Sequence, residues 1–248
     1  MTRAEFHKHF KCPGPVVTPV IHVLDSGQTL RAVEISVRAG VAGVFLINHD
    51  FEKERLVPII RDIREGMPGL WLGVNFLAVT GREAFPILGA LEAEGCAVDA
   101  CWADDARMDE REAVQREADE IAQIRAASGW SGLYFGGTAF KQQRPVDPSQ
   151  YQHSAGIARP YMDVVTTSGP ATGQEADDTK IADFRRGLGD APLALASGVT
   201  PENAGRYGRD VDCFLVATGI APPGDFYSID PARLDALLAV TREMGAKP

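Results

Sequence analysis

Hydrophobic and polar positions along the chain alternate between two patterns, and the alternation can be counted eight times. Short continuously apolar runs each precede a longer stretch with helical periodicity. PVIHVL (19–24) precedes TLRAVEISVRAG (29–40), VAGVFLIN (41–48) precedes ERLVPIIRDIREG (54–66), and LWLGVNFL (70–77) precedes REAFPILGALEAEG (82–95). AVDACWA (97–103) then precedes 110–128, SGLYFGG (131–137) precedes 148–161, and three final runs beginning at 162, 192 and 213 precede 178–189, 201–209 and 231–244. Runs apolar at every position read as parallel strands covered on both faces. Leu56, Ile59, Ile60 and Ile63 recur at helical spacing, as do Leu234, Leu237, Leu238 and Thr241, which predicts amphipathic helices lying on a sheet. Asp230–Pro231 and Thr200–Pro201 place a capping residue before a proline suited to the first helical position, and Gly40, Gly66 and Gly95 stand where helices should end.

Eight such units in 248 residues predict a single (β/α)8 TIM barrel spanning 19–248, preceded by an N-terminal arm over 1–18 that covers the barrel bottom. A dinucleotide-binding sheet is disfavoured, because VLDSGQT after the first strand carries one glycine rather than the glycine-rich turn such a sheet needs. No organic cofactor motif is present elsewhere, so the cofactor is left unassigned.

Composition adds exclusions. Hydrophobic residues make up 45% and charged residues 24%, ordinary for a soluble globular chain, and no apolar run reaches membrane-spanning length. The first residues lack a secretory pattern, which makes the cytoplasm the expected compartment. A net charge of −9 argues against a general nucleic-acid surface. Cys12, Cys96, Cys101 and Cys213 have no paired spacing and read as reduced structural thiols, with Cys101 at a strand end that can face the barrel mouth.

The last three apolar runs carry the strongest chemical signal. Each stops in small residues, in SGPATG, SGVTPEN and ATG, and such ends leave backbone N–H groups open to a ligand. They fall at the positions where barrels commonly hold phosphate, beside strands seven and eight. Ser168, Gly169, Thr172, Gly173, Ser197, Gly198, Thr218 and Gly219 are therefore the expected phosphate-binding residues, through hydroxyls and backbone donors. Tight-turn geometry alone would also explain the glycines.

SGPATGQEAD (168–177), SGVTPENAGRY (197–207) and VDCFLVATGI (211–220) together resemble the BtpA family, also called BtpA/SgcQ. VIHVL, GVNFL and Lys141 match that family's first-strand histidine, third strand and a lysine following the fifth strand. The chain departs from the family at the mouth: DSGQT (25–29) replaces a proline-rich run, and Asn48–His49–Asp50 replaces an acid–asparagine pair. The resemblance implies a divergent member with the barrel and a phosphate site, and does not carry over the family's role in photosystem I accumulation.

Strand ends one to five supply further polar groups: His22, Asn48, His49, Asp50, Asn75, Asp104, Asp105 and Lys141. Carboxyl ends of barrel strands converge on one surface, where catalytic side chains are drawn from several strands. His22, Asp104 and Lys141 are the expected catalytic residues, and Asn48 and Asn75 the expected substrate-binding ones. Each has a plainer alternative: His22 as a hydrogen-bonded core residue, the asparagines as loop caps, Asp104–Asp105 as a helix cap, Lys141 and Arg144 as surface cations. A lysine over the mouth can hold an anion or stabilise developing negative charge. A Schiff base is disfavoured, because the sixth strand carries Val164–Val165–Thr166 where aldolases of that type bear their lysine. Asp50, Asp104 and His22 could assemble a divalent-metal site, but no metal-ligand spacing is present and a metal is not favoured. TSGPATG lacks the two preceding acidic residues of a phosphoribosyltransferase loop. The expected function is an enzyme acting on a phosphorylated small molecule, such as a sugar phosphate or nucleotide-like compound; the alternative is a non-catalytic assembly or regulatory barrel. Whether it forms a homo-oligomer is left open.

Overall fold

The structure is a computed structural model that describes residues 1–141 and 143–246. Its eight strands are β1 (Val16–Val23), β2 (Val44–Asn48), β3 (Leu72–Asn75), β4 (Ala100–Ala103), β5 (Leu133–Gly137), β6 (Val164–Ser168), β7 (Leu193–Ala196) and β8 (Cys213–Val216). All neighbouring pairs are parallel and β8 closes on β1, giving a barrel in sequence order. The chain is thus a (β/α)8 barrel.

Helix α1 (Arg3–Phe10) precedes β1. Helices α2 (Ser26–Ala39), α3 (Lys53–Gly66), α4 (Gly81–Ala93), α5 (Arg116–Ser128), α6 (Tyr151–Ala158) and α7 (Asp178–Leu188) follow β1 to β6, and α8 (Pro231–Gly245) follows β8. Among the described residues no helix is long and apolar enough to cross a membrane. Two of the expected caps form as read: Gly40 takes φ 86° at the end of α2, and Asp230 accepts from the Ala232 amide at the start of α8.

Four elements differ from the sequence expectation, the first being α1, a capped helix within the segment read as an arm. Strand β1 begins at Val16 rather than 19, pairing with β8 through Pro19 and then with β2 from Val20 onward, so the proline sits where the strand changes partner. The segment 110–115 belongs to the loop before α5. After β7 there is only a 3-10 turn, Ala204–Arg206, in place of a helix over 201–209. Gly208, past this turn, packs against Met244 of α8, whose Sδ would lie 2.3 Å from a Cβ placed there.

Alternation along the strands divides the core in two. Val16, Val20, Phe45, Ile47, Trp102, Phe135 and Leu215 fill the barrel, while Val17, Ile21, Leu46, Val74, Phe85 and Ile181 pack between sheet and helices. Phe6 of α1 is fully buried and meets Phe135 edge-on, with ring centroids 6.4 Å apart. The barrel base is closed by this helix.

A repeated clamp ties the amino-terminal ends of the strands. Asp99, Asp163 and Asp212, each just before an even-numbered strand, accept from the backbone amides of Leu72, Tyr134 and Leu193, which open or lie in the preceding strand, at 2.8, 2.8 and 2.9 Å. The same carboxylates take Arg64, Arg125 and Arg185 from α3, α5 and α7. The first pair of strands lacks the clamp: Gly43, before β2, has no room for a side chain beside Trp71. Asp212 adds Arg3 at 2.8 Å and His7 at 2.9 Å, and so anchors α1.

Candidate active site

The β2 and β3 asparagines go to different faces. Asn48 shares the parity of Val44 and Leu46 and points toward the helices; it donates to the Phe51 carbonyl at 2.6 Å and accepts from the Leu77 amide at 3.1 Å. Its role in this geometry is to tie two loops, not to line the cavity. Asn75 has the inward parity and donates to Asp104 Oδ1 at 2.9 Å. Asp105 turns away, accepting from the Arg107 amide and pairing with the Arg107 guanidinium. Of the adjacent acids only Asp104 reaches the mouth.

One cavity of about 110 Å³ gathers His22, Asp104, Lys141, Thr172, Gly173, Ser197, Gly198, Thr218 and Gly219, with Val20, Ile47, Trp102 and Leu215 as its apolar wall. A shallower groove of about 520 Å³ runs outward over the loop after β8, and Gly173, Gly198, Thr218 and Gly219 border both spaces. Ser168 and Gly169 line neither. Ser168 is fully buried, accepts from the Lys141 amide at 2.8 Å and donates to the Gly169 carbonyl.

Lys141 Nζ donates to Thr172 Oγ1 at 3.1 Å and Ser197 Oγ at 2.9 Å, joining the loops after β5, β6 and β7. Among the described residues no carboxylate stands within salt-bridge distance of it. Burial pulls the ammonium below the usual lysine range, against the favourable charge of Asp104. Asp104 moves the other way: burial pushes its carboxyl up, opposed by the Asn75 bond and by Lys141. Both displacements have one cause, burial disfavouring the charged form of each group. The adjacent Arg144 is engaged elsewhere, with Asp109 and Glu110.

His22 is buried and its Nδ1 lies 2.7 Å from the Phe226 carbonyl. A carbonyl only accepts, so Nδ1 carries the proton and Nε2 keeps its lone pair. Burial lowers its pKa to about 4, partly countered by the Phe226 carbonyl and reinforced by His49 and Lys141. The ring stacks on Phe226 with centroids 3.7 Å apart and meets His49 edge-on at 4.7 Å. His49, a polar group at the end of β2 in the sequence, lines the cavity, whereas Phe226 is not legible there, lying in a loop whose docking on β1, 204 positions away, leaves no local signal. Asp50 is taken up by the Tyr227 hydroxyl of the same loop.

The glycines need separate treatment. Ser197 and Gly198 are consecutive left-handed residues, φ 74° and 71°. A Cβ on Gly198 would lie 2.2 Å from the Gln174 carbonyl oxygen, and one on Gly219 would lie 1.8 Å from that of Val199. Their missing side chains make room for neighbouring loop backbone, so these glycines are required by loop packing. Gly219→Ala is expected to lower stability by about 1–3 kcal/mol; an unchanged denaturation midpoint would contradict this contact. Backbone strain concentrates on this rim: Ala78, Arg107, Ala139 and Ser197 all have positive φ in loops that follow strands. Cys101, by contrast, is buried against the helices, and burial pushes its thiol up to about 12. Among the described residues no three His, Cys, Asp or Glu side chains are placed to hold a metal ion.

The fold and this mouth define the class: a (β/α)8 barrel with its polar residues gathered at the carboxyl ends of the strands. No family model matches the chain, and no curated protein matches it. Solved structures do. (S)-3-O-geranylgeranylglyceryl phosphate synthase from Thermoplasma acidophilum, seen with its substrate sn-glycerol-1-phosphate, is 15% identical over 98% of this chain and 99% of that one, with TM-score 0.66. The tryptophan synthase alpha chain of Legionella pneumophila is 14% identical over 99% and 98%, TM-score 0.63. Phosphoribosyl anthranilate isomerase from Thermus thermophilus is 14% identical over 92% and 99%, TM-score 0.60. At these identities the likeness establishes the fold.

Proposed function

We propose that the protein is an enzyme acting on a phosphorylated small molecule at the carboxyl face of the barrel, and a divergent member of the BtpA family. The observation that carries this reading is Lys141: an ammonium on a cavity wall, oriented by two hydroxyls and free of any carboxylate salt bridge among the described residues. Such a group has donor capacity and charge to offer an anion. SGPATG and SGVTPEN support the family reading, and the synthase seen with sn-glycerol-1-phosphate shows that this fold accommodates a phosphorylated substrate.

The geometry supports a division of labour. Lys141, with Thr172, Ser197 and Thr218, holds the anion where the two spaces meet. Asp104, raised by burial and steadied by Asn75, exchanges a proton with the substrate. His22 presents a neutral Nε2 that accepts a hydrogen bond from a substrate hydroxyl. Lys141 then stabilises negative charge that develops as the proton leaves.

A thermal-shift screen of phosphorylated metabolites tests this, with the dephosphorylated compounds as controls. Phosphorylated members should raise the melting temperature and their dephosphorylated counterparts should not. A ligand at 100 times its dissociation constant contributes about 2.7 kcal/mol of stabilisation. No shift across a broad panel, and no turnover, would favour the non-catalytic barrel.

A further inference from the structure

Lys180, near the start of α7, is buried at 9% exposure and lies outside the cavity. Its Nζ donates to the Ala139 carbonyl at 2.6 Å and the Ser168 carbonyl at 2.8 Å. Its remaining surroundings include the rings of Tyr151 and Phe184, 5.2 and 5.8 Å from Nζ. No carboxylate among the described residues forms a salt bridge with it. Burying an ammonium without a counter-charge is costly, and a neutral donor would satisfy two carbonyls at lower cost.

What it grips explains the placement. Ala139 is held at φ 45°, a strained value for a residue with a side chain, two positions before Lys141. Ser168 is the residue whose hydroxyl accepts the Lys141 amide at 2.8 Å. Lys180 therefore pulls together the ends of β5 and β6 on both sides of the peptide that presents Lys141. Thr167 Oγ1 adds a longer bond to the same Ala139 carbonyl, 3.3 Å.

We infer that Lys180 is a positioning residue: it fastens the Ala139 and Ser168 carbonyls together and so fixes the backbone from which Lys141 reaches the anion. The inference rests on the reading of Lys141 above, but the clamp has a readout of its own. Amide hydrogen exchange reports it directly, since protection of the Lys141 amide depends on the bond to Ser168. Inorganic phosphate is the binding probe.

In Lys180→Met, the Lys141 amide should exchange faster while amides of β1 and β2 keep their protection. The phosphate dissociation constant should rise on the order of 10- to 100-fold, as for a misplaced binding group. Ile181→Val, a core truncation on the same helix, controls for lost stability and should do neither. An unchanged Lys141 amide in Lys180→Met, or equal changes in the two variants, would overturn the clamp. Should the methionine variant not fold, Lys180→Gln, which is shorter and uncharged but keeps N–H donors, should shift both readouts in the same direction by less; no change there also overturns it. If wild type shows no affinity for phosphate, the anion reading of Lys141 falls, and amide exchange alone decides the clamp.

Discussion

Lys141→Met is expected to abolish stabilisation by phosphorylated ligands and, on whichever compound turns over, to lower the rate by about 10²–10³-fold. Methionine keeps much of the stem and removes the charge and its three donors. Folding should change little, because among the described residues the ammonium bonds to the Thr172 and Ser197 hydroxyls, both able to turn to other partners. The comparison is made at matched folded concentration, and equal rates and shifts would remove Lys141 from the site. The pH profile sharpens the test. A phosphate monoester gains its second charge near pH 6, so affinity should rise through about that value. It should fall again on the alkaline side earlier than for an ordinary lysine, because burial lowers the Lys141 value and neutralises the ammonium sooner.

Asp212→Ala is expected to be the most damaging single change to stability, at about 3–5 kcal/mol. The carboxylate is fully buried and accepts from Arg3, His7, Arg185 and the Leu193 amide, so its removal leaves those donors unpaired. Burial pushes the Asp212 carboxyl up, but bonds from His7, Leu193 and Arg3 outweigh it and the net displacement is downward. A carboxyl depressed in the folded state contributes its stability in full above the unfolded value, about 3.9, and loses it as pH falls through the lower folded value. The difference between wild type and Asp212→Ala in urea midpoint should therefore hold from pH 7 to about 5 and narrow below about pH 4. A gap below about 1 kcal/mol at neutral pH would mean the clamp is replaceable by solvent.

Much of the barrel was legible because its cause is local. Apolar runs four to eight residues long, helical stripes such as Leu56–Ile63, and the caps at Gly40 and Asp230 each act within a few positions. The helix expected over 201–209 is replaced by a 3-10 turn although Thr200–Pro201 is a valid start, because a start signal alone does not set how far a helix runs. His22, Asp104 and Lys141 were legible as residues at strand ends, and the structure brings all three to one cavity. Lys180 was not, since nothing near it in the chain distinguishes a lysine that bonds loop carbonyls from one facing water.

By itself, then, the sequence determined the order of the strands and most of the helices between them, and the loops that carry polar groups, since periodicity and capping are properties of neighbouring residues. It did not determine which alternate residues of a strand look into the barrel. Parallel barrel strands are apolar on both faces, so Asn48 and Asn75 look alike in the chain. Only closure of the sheet turns Asn75 onto Asp104 and Asn48 out toward the loops. The same holds for the glycines: their sequence allows close approach, and tertiary packing puts the backbone of neighbouring loops where side chains on Gly198 and Gly219 would stand.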